Sequence, residues 1–185
     1  FLLVFVVVWV ISVARLRRGY TPQQRSIDGF QTIHGSMVEA AETGQPVHLG
    51  LGTGAIGEAT TLETLAGLAV LDYLSEQATM TGTQPIVTTG SPTTLALAQD
   101  ALKDPFVRRG RADEVRPSQV RFAGTSRTAY AAGALNEIEH QAVAASFLVG
   151  SFGDEYLLIG EPTARKGVQQ VGASTVPGVL PFVRA

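Results

Sequence analysis

Residues 1–14 form an apolar segment that constrains the fold of this chain more than any other feature of its sequence. Ser12 is its only polar residue, and Arg15, Arg17 and Arg18 follow it. A helix that is apolar on every side is unusual outside lipid. We therefore predict that residues 1–18 belong to a transmembrane helix with a basic end.

The apolar segment is too short to cross a bilayer alone. About 14 residues at about 1.5 Å each reach about 20 Å, whereas the hydrocarbon core is about 30 Å thick. A signal peptide has a core of this length, but its basic residues precede the core. A buried core helix is a further alternative. The order found here favours a membrane span that begins before Phe1.

The arginines after the apolar segment also predict an orientation. Membrane proteins carry an excess of Lys and Arg in their cytoplasmic segments. We therefore expect a cell-membrane protein whose remaining domain lies in the cytoplasm, with the lipid bilayer as one partner. The chain has no cysteine, which agrees with a reducing compartment.

Composition excludes one class of partner and favours another. The net charge of −2 does not provide the basic surface of a nucleic-acid-binding protein, so we expect no such partner. Charged residues make up 16% of the chain, below the usual value of about 25%. Together with 20 glycines, this predicts close packing and a homo-oligomer or a subunit of a larger membrane assembly.

Strand and helix patterns alternate along residues 19–175. This alternation predicts an α/β domain with a mostly parallel sheet and flanking helices, a Rossmann-like three-layer architecture. An apolar, proline-rich tail at residues 176–185 is expected to lead to a further membrane segment. The predicted strands are residues 47–51, 85–89, 119–123, 143–149, 155–159 and 167–171.

Helix start signals lie between these strands. Thr21 with Pro22 begins a helix that ends near Gly44, and Thr60 with Glu63 forms a capping box. The helix after Thr60 is apolar on nearly every side, so we expect it to be buried on several faces. Further helices are predicted to begin at Ser91 and at Thr125 or Ser126.

A glycine-rich segment follows the first strand. Residues 50–57 contain the pattern G-x-G-x-x-G, which in dinucleotide-binding proteins gives the backbone close access to a pyrophosphate. The match is incomplete, because the next helix begins near Thr60 and not within the glycines. The second strand also ends without the acidic residue that binds a ribose.

The first three strands all end in small hydroxyl or glycine residues. Ligands of parallel sheets bind beyond the carboxyl ends of the strands, where helix N-termini present free amides. These turns therefore predict a ligand surface for a phosphate or carboxylate group, although plain helix capping explains the same residues. The candidate residues are Gly52, Thr53, Gly54, Thr89, Gly90, Ser91, Thr125 and Ser126.

Catalytic and metal-binding patterns are weak. The spacing of the histidines does not build a metal site, and there is no cysteine ligand. His34 and His48 fit better as hydrogen-bonded core residues than as catalysts. The sequence therefore favours a role without catalysis, metal or cofactor.

Several segments resemble a prokaryotic family of membrane-anchored proteins of unknown function. They are residues 33–41, 47–54, 61–68, 85–90 and 155–161. The resemblance implies a leading membrane segment before an α/β domain, and it transfers no catalytic residue.

Two functions are compatible with these observations. The first is a membrane-anchored structural or assembly subunit, a scaffold that acts through protein–protein association. The alternative is a domain that binds a small ligand or nucleotide through the turns at the carboxyl ends of the strands.

Overall fold

The computed structural model describes residues 1–17 and 28–183. The predicted helix start at Thr21 lies outside these residues, as does Arg18. The helices are α1 (Leu2–Arg17), α2 (Asp28–Thr43), α3 (Thr61–Thr81), α4 (Pro92–Arg108), α5 (Arg127–Gln141), α6 (Glu155–Arg165) and α7 (Leu180–Val183). The strands are β1 (Val47–Gly52), β2 (Pro85–Thr89), β3 (Val120–Phe122), β4 (Ala145–Ser151) and β5 (Gln169–Ala173).

The five strands form one parallel sheet in the order β3-β2-β1-β4-β5. The predicted α/β class with a parallel sheet and flanking helices is confirmed. The chain runs outward from β1 to β3 and then crosses back to β4. The strand order therefore reverses between β1 and β4, which is the place where open α/β sheets usually bind ligands.

Helices cover both faces of the sheet, and alternate residues of β1 point to opposite faces. Val47, Leu49 and Leu51 pack with residues of α2, α3 and α4 in one core cluster. Residues of α5, α6 and α7 form the second cluster on the other face. Burial of one such aliphatic side chain contributes about 1.5–3 kcal/mol. The two clusters hold β1 at the centre of three layers.

The predicted strand at residues 155–159 is wrong, because this segment begins helix α6. Its buried residues are spaced as on one side of a helix, and they are Glu155, Tyr156, Ile159, Gly160 and Thr163. A short apolar run fits a strand and a buried helix equally well when it is read alone. The last strand instead lies at Gln169–Ala173.

Helix α3 is less buried than its composition predicts. Leu62 is 78% exposed and Leu65 is 49% exposed, and Ala66 and Ala69 are exposed on the same side. The opposite side packs into the core through residues such as Leu71. The expectation of burial on several faces is therefore wrong for the outer side of this helix.

Helix α1 consists of 16 residues, and the apolar side chains in its first two-thirds are exposed on all sides. Residues 1–11 have relative exposures from 45% to 115%. No helix within the described ranges is both long and apolar enough to cross a membrane. The structure therefore does not support the transmembrane helix predicted for residues 1–18.

Candidate functional site

The eight residues predicted to form a ligand surface all lie at one edge of the sheet. Gly52 and Thr89 end β1 and β2, and the other six residues belong to the turns that follow β1, β2 and β3. Because the strands are parallel, all three turns lie at the carboxyl edge, where the loops of α/β proteins bind ligands. The structure thus brings together residues 52–54, 89–91 and 124–126.

Main-chain hydrogen bonds join these turns to one another. The amide of Gly90 donates to the carbonyl of Gly52 at 2.8 Å. The amide of Ala123, just before the third turn, donates to the carbonyl of Thr89 at 2.9 Å. The three turns are therefore parts of one continuous surface.

Two of the predicted ligand residues are helix caps. The hydroxyl of Ser91 accepts from the amide of Thr94 at 3.4 Å, and that of Ser126 accepts from the amide of Ala129 at 3.2 Å. These bonds satisfy free amides at the starts of α4 and α5. Sequence reasoning missed the side chain of Thr94, which is buried and donates to the carbonyl of Gly54 at 3.0 Å.

The threonines of the predicted ligand surface differ in the hydrogen bonds that their hydroxyl groups make. Thr89 accepts a hydrogen bond from the amide of Ser91 at 3.3 Å. The side-chain hydroxyls of Thr53 and Thr125 bond to none of the residues that the structure describes. Thr53 is half-buried and Thr125 is exposed. Two hydroxyl groups therefore remain accessible to a bound molecule.

Gly52 is required by the packing between β1 and β4. Its φ is +74°, and a Cβ atom at this position would lie 2.1 Å from the carbonyl oxygen of Ser151. The two main chains are therefore in direct contact where the strand order reverses. This glycine serves strand packing, so the G-x-G-x-x-G pattern does not by itself show a pyrophosphate site.

The start of α3 also departs from the dinucleotide-binding pattern. Strand β1 ends at Gly52, and α3 begins only at Thr61. Thr60 makes no side-chain cap, so the predicted capping box is wrong. Its hydroxyl instead accepts from the amide of Ala55 at 3.2 Å, and a carboxylate oxygen of Glu63 accepts from the hydroxyl of Thr175 at 2.9 Å.

A buried chain of hydrogen bonds runs beneath the surface. The ring nitrogens of His48 lie 2.9 Å from the hydroxyl oxygens of Ser146 and Thr88. The hydroxyl of Thr88 is 3.1 Å from that of Tyr130, which accepts from the amide of Gly52 at 3.2 Å. This chain connects three strands and α5 with the first residue of the glycine-rich turn.

Burial controls the protonation of His48 and Tyr130 in this series of hydrogen bonds. It lowers the pKa of His48 to about 3 and raises the pKa of Tyr130 to about 12, because a low dielectric disfavours the charged forms. Both groups are therefore neutral near pH 7. His48 is thus the hydrogen-bonded core histidine that was predicted, whereas the same prediction for His34 is wrong, since His34 is exposed.

An ion pair lies where α5 and α6 begin. Nε of Arg127 is 3.7 Å from Oε2 of Glu155, and the side chain of Arg127 is 65% exposed whereas that of Glu155 is 1% exposed. Neither carboxylate oxygen of Glu155 accepts a hydrogen bond from the described residues. Buried carboxylates normally have such donors. Sequence reasoning missed both residues because they are far apart in the chain.

The opposite, amino edge of the sheet contains a separate cavity of about 380 Å³. Its lining includes Gln84, Arg116 and Arg121. Within residues 1–17 and 28–183, no group of three or more His, Asp and Glu side chains is placed to hold a metal ion. The cavity shares no residue with the predicted ligand surface.

Comparisons with known proteins identify the family of the chain. A search of the curated proteins and a search of the solved structures found no match. A family described as a domain of unknown function (DUF6754) matches residues 1–185. This match confirms only that the family is one of unknown function, and it assigns no activity to any residue. Because the match extends over all of these residues, the chain belongs to the DUF6754 family.

Proposed function

We propose that this chain is a membrane-attached assembly subunit whose α/β domain associates with other copies or with partner subunits. The observation that carries this proposal is the exposed apolar surface of residues 1–11, nearly all of which belong to α1. We place it in a prokaryotic cell membrane, as the family resemblance implies. The arginines after the apolar segment put the domain on the cytoplasmic side.

Water is a poor environment for helix α1. Monomeric soluble proteins rarely expose continuous apolar patches larger than a few hundred Å². Here Leu2, Phe5, Val8 and Trp9 are all more than half exposed. Moving such side chains out of water is favourable by about 1.5–3 kcal/mol each. Lipid accepts an all-round apolar helix, whereas a protein partner would cover only one side of it.

The outer side of α3 offers a second apolar surface. Leu62, Leu65, Ala66 and Ala69 follow the spacing of one helix face, and all four are exposed. Leu97 on the neighbouring helix α4 is 42% exposed. Apolar patches on otherwise well-packed domains are typical of protein–protein contacts. This surface supports association of the folded domain.

Membrane attachment can be tested by flotation of the full chain with phosphatidylcholine vesicles. We expect the wild-type chain to float with the vesicles. The variant Val8→Asp should bind about 100-fold more weakly, because a charge near the middle of a membrane helix costs about 2.5–3.5 kcal/mol.

The control for flotation is Val107→Asp, since Val107 is 48% exposed on α4. This variant should float like the wild type. The proposal fails if the wild-type chain stays in the aqueous fraction, or if Val8→Asp floats as well as the wild type.

A second candidate function is binding of a small ligand or nucleotide at the carboxyl edge of the sheet. The observation that favours it is the meeting of three turns at this edge, the first of them where the strand order reverses, with the hydroxyls of Thr53 and Thr125 left accessible. Helix N-termini at this edge attract anions through free amides and the helix dipole.

A further inference from the structure

The ion pair between Arg127 and Glu155 lies at the position where the strand order reverses. Glu155 is the first residue of α6, which follows β4, and Arg127 is the first residue of α5. The pair is therefore at the carboxyl edge of the sheet, where the loops of open α/β sheets enclose ligands. This location makes the pair a candidate for ligand contact.

Glu155 is an unusual carboxylate because it is buried and lacks hydrogen bonds. Both oxygens are inaccessible to solvent, and neither has a donor among the described residues. The guanidinium of Arg127 approaches only to 3.7 Å, which is longer than a hydrogen bond. A buried acceptor without a donor is destabilising. None of residues 1–17 and 28–183 supplies this donor, and a ligand bound at this edge of the sheet could supply it.

Arg127 lies beside Glu155, and its own side chain is 65% exposed. A Cβ atom on Gly153 would lie 2.7 Å from Nη1 of Arg127 and 3.1 Å from Oε2 of Glu155. Gly153 therefore lies directly against both side chains. The terminal nitrogens of Arg127 bond to no residue that the structure describes. The guanidinium can therefore turn outward.

We propose that Arg127 and Glu155 bind a phosphorylated small molecule that carries hydroxyl groups, such as a sugar phosphate. The guanidinium turns toward the phosphate, for which its planar donors are suited. This movement uncovers Glu155, whose oxygens then accept hydrogen bonds from the hydroxyls of the same molecule. This inference rests on the second function proposed above and specifies its ligand class.

The side chains of Arg127 and Glu155 require different chemical groups on the ligand. Inorganic phosphate would draw Arg127 away and leave Glu155 without a partner. A sugar without phosphate has no anion to move Arg127. Only a molecule with both groups satisfies both side chains, so ribose 5-phosphate should bind at least tenfold more tightly than inorganic phosphate or ribose.

The test is calorimetric titration of the full chain in detergent with ribose 5-phosphate, inorganic phosphate and ribose. Arg127→Gln should weaken binding of ribose 5-phosphate at least tenfold. Glu155→Gln should weaken binding of ribose 5-phosphate. It should not weaken binding of inorganic phosphate, because in this variant no buried negative charge loses its partner when Arg127 moves. Arg165→Gln is the matched control, since Arg165 is a 77% exposed arginine paired with Glu161 on α6.

The outcomes separate this inference from the broader ligand-binding function. If the wild type binds ribose 5-phosphate and Arg127→Gln binds it equally well, the assignment to this pair is overturned while ligand binding stands. If ribose 5-phosphate does not bind to the wild type, the sugar-phosphate assignment is overturned, whereas binding of another ligand at this edge still stands. Circular dichroism of each variant shows whether it is folded, and the exposed position of Arg127 makes that variant decisive.

Discussion

His48 shows how a polar side chain can lie at the centre of a parallel sheet. Strand register places it directly opposite Ser146 of β4, and the hydroxyl of Thr88 on β2 reaches its other ring nitrogen. A neutral imidazole has one donor and one acceptor nitrogen, so two hydroxyl partners satisfy it completely. The ring is therefore tolerated in the core as long as it stays uncharged.

The pH dependence of stability should reveal this histidine. Burial lowers the pKa of folded His48 to about 3, whereas an unfolded histidine titrates near 6.5. Between these values the unfolded chain binds the proton and the folded chain does not. The free energy of unfolding should therefore fall as the pH decreases from 6.5 to 3, by up to about 1.4 kcal/mol per pH unit from this residue.

The measurement is urea unfolding of the wild type and of His48→Gln at several pH values. Carboxylates also titrate in this range, so the comparison of the two slopes isolates the histidine. We expect the variant to be less stable at pH 7 but to lose less stability as the pH falls. Equal slopes for the two proteins would contradict a buried neutral His48.

Single residues were predicted from the sequence with mixed success, for physical reasons. His48 lies in a strand flanked by apolar residues, so its burial follows from the pattern. Its partners Ser146 and Thr88 depend on register between strands that are distant in sequence. His34 was assigned to the wrong side of α2, because a small error in helix phase moves a residue from the core to solvent.

Among the elements, the turn after β1 differs most from its sequence pattern. Its glycines resemble a nucleotide-binding turn, yet Gly52 is required by contact with the main chain of Ser151. Gly57 has a φ of +92°, and a Cβ atom added to it would meet no neighbouring atom within 4 Å. Both glycines have a positive φ, but only Gly52 is also in close contact with another main chain. Comparing them therefore separates the effect of backbone conformation from that of close packing.

Substitution of these glycines by alanine should have unequal effects. Gly57→Ala introduces only an unfavourable backbone conformation, which costs about 1–2 kcal/mol. Gly52→Ala adds a clash with main-chain atoms that cannot move without separating β1 from β4, so its cost should be clearly larger. Urea unfolding of both variants gives the two free energies. Equal losses would show that close packing at Gly52 is unimportant.

Element types were predictable where local chemistry was strong. Strand β2 was predicted with its observed bounds, and Ser91 and Ser126 cap helices as their residue type favours. The segment at residues 155–159 was ambiguous because its apolar run is short. The pair of Arg127 and Glu155 was not predictable, since only the crossover from β3 to β4 brings α5 and α6 together.

At the scale of the whole molecule, the outer side of α3 is the surface to test for association. We expect the full chain in detergent to form an oligomer, and Leu62→Glu with Leu65→Glu to dissociate it, because charges prevent burial of this face. Light scattering coupled to gel filtration measures the mass. Leu158→Glu is the control, since Leu158 is 49% exposed on α6, on the other side of the sheet. A monomeric wild type would disprove association, and an unchanged oligomer in the double variant would exclude this face.

The position of β1 at the centre of the sheet has a consequence for synthesis of the chain. During translation β1, β2 and β3 leave the ribosome before β4, so the edge of β1 that later pairs with Ala145–Ser151 is open at first. Unpaired strand edges promote aggregation. Until β4 emerges, the nascent domain thus exposes His48 and the unpaired edge of β1. A chaperone would be needed during this interval.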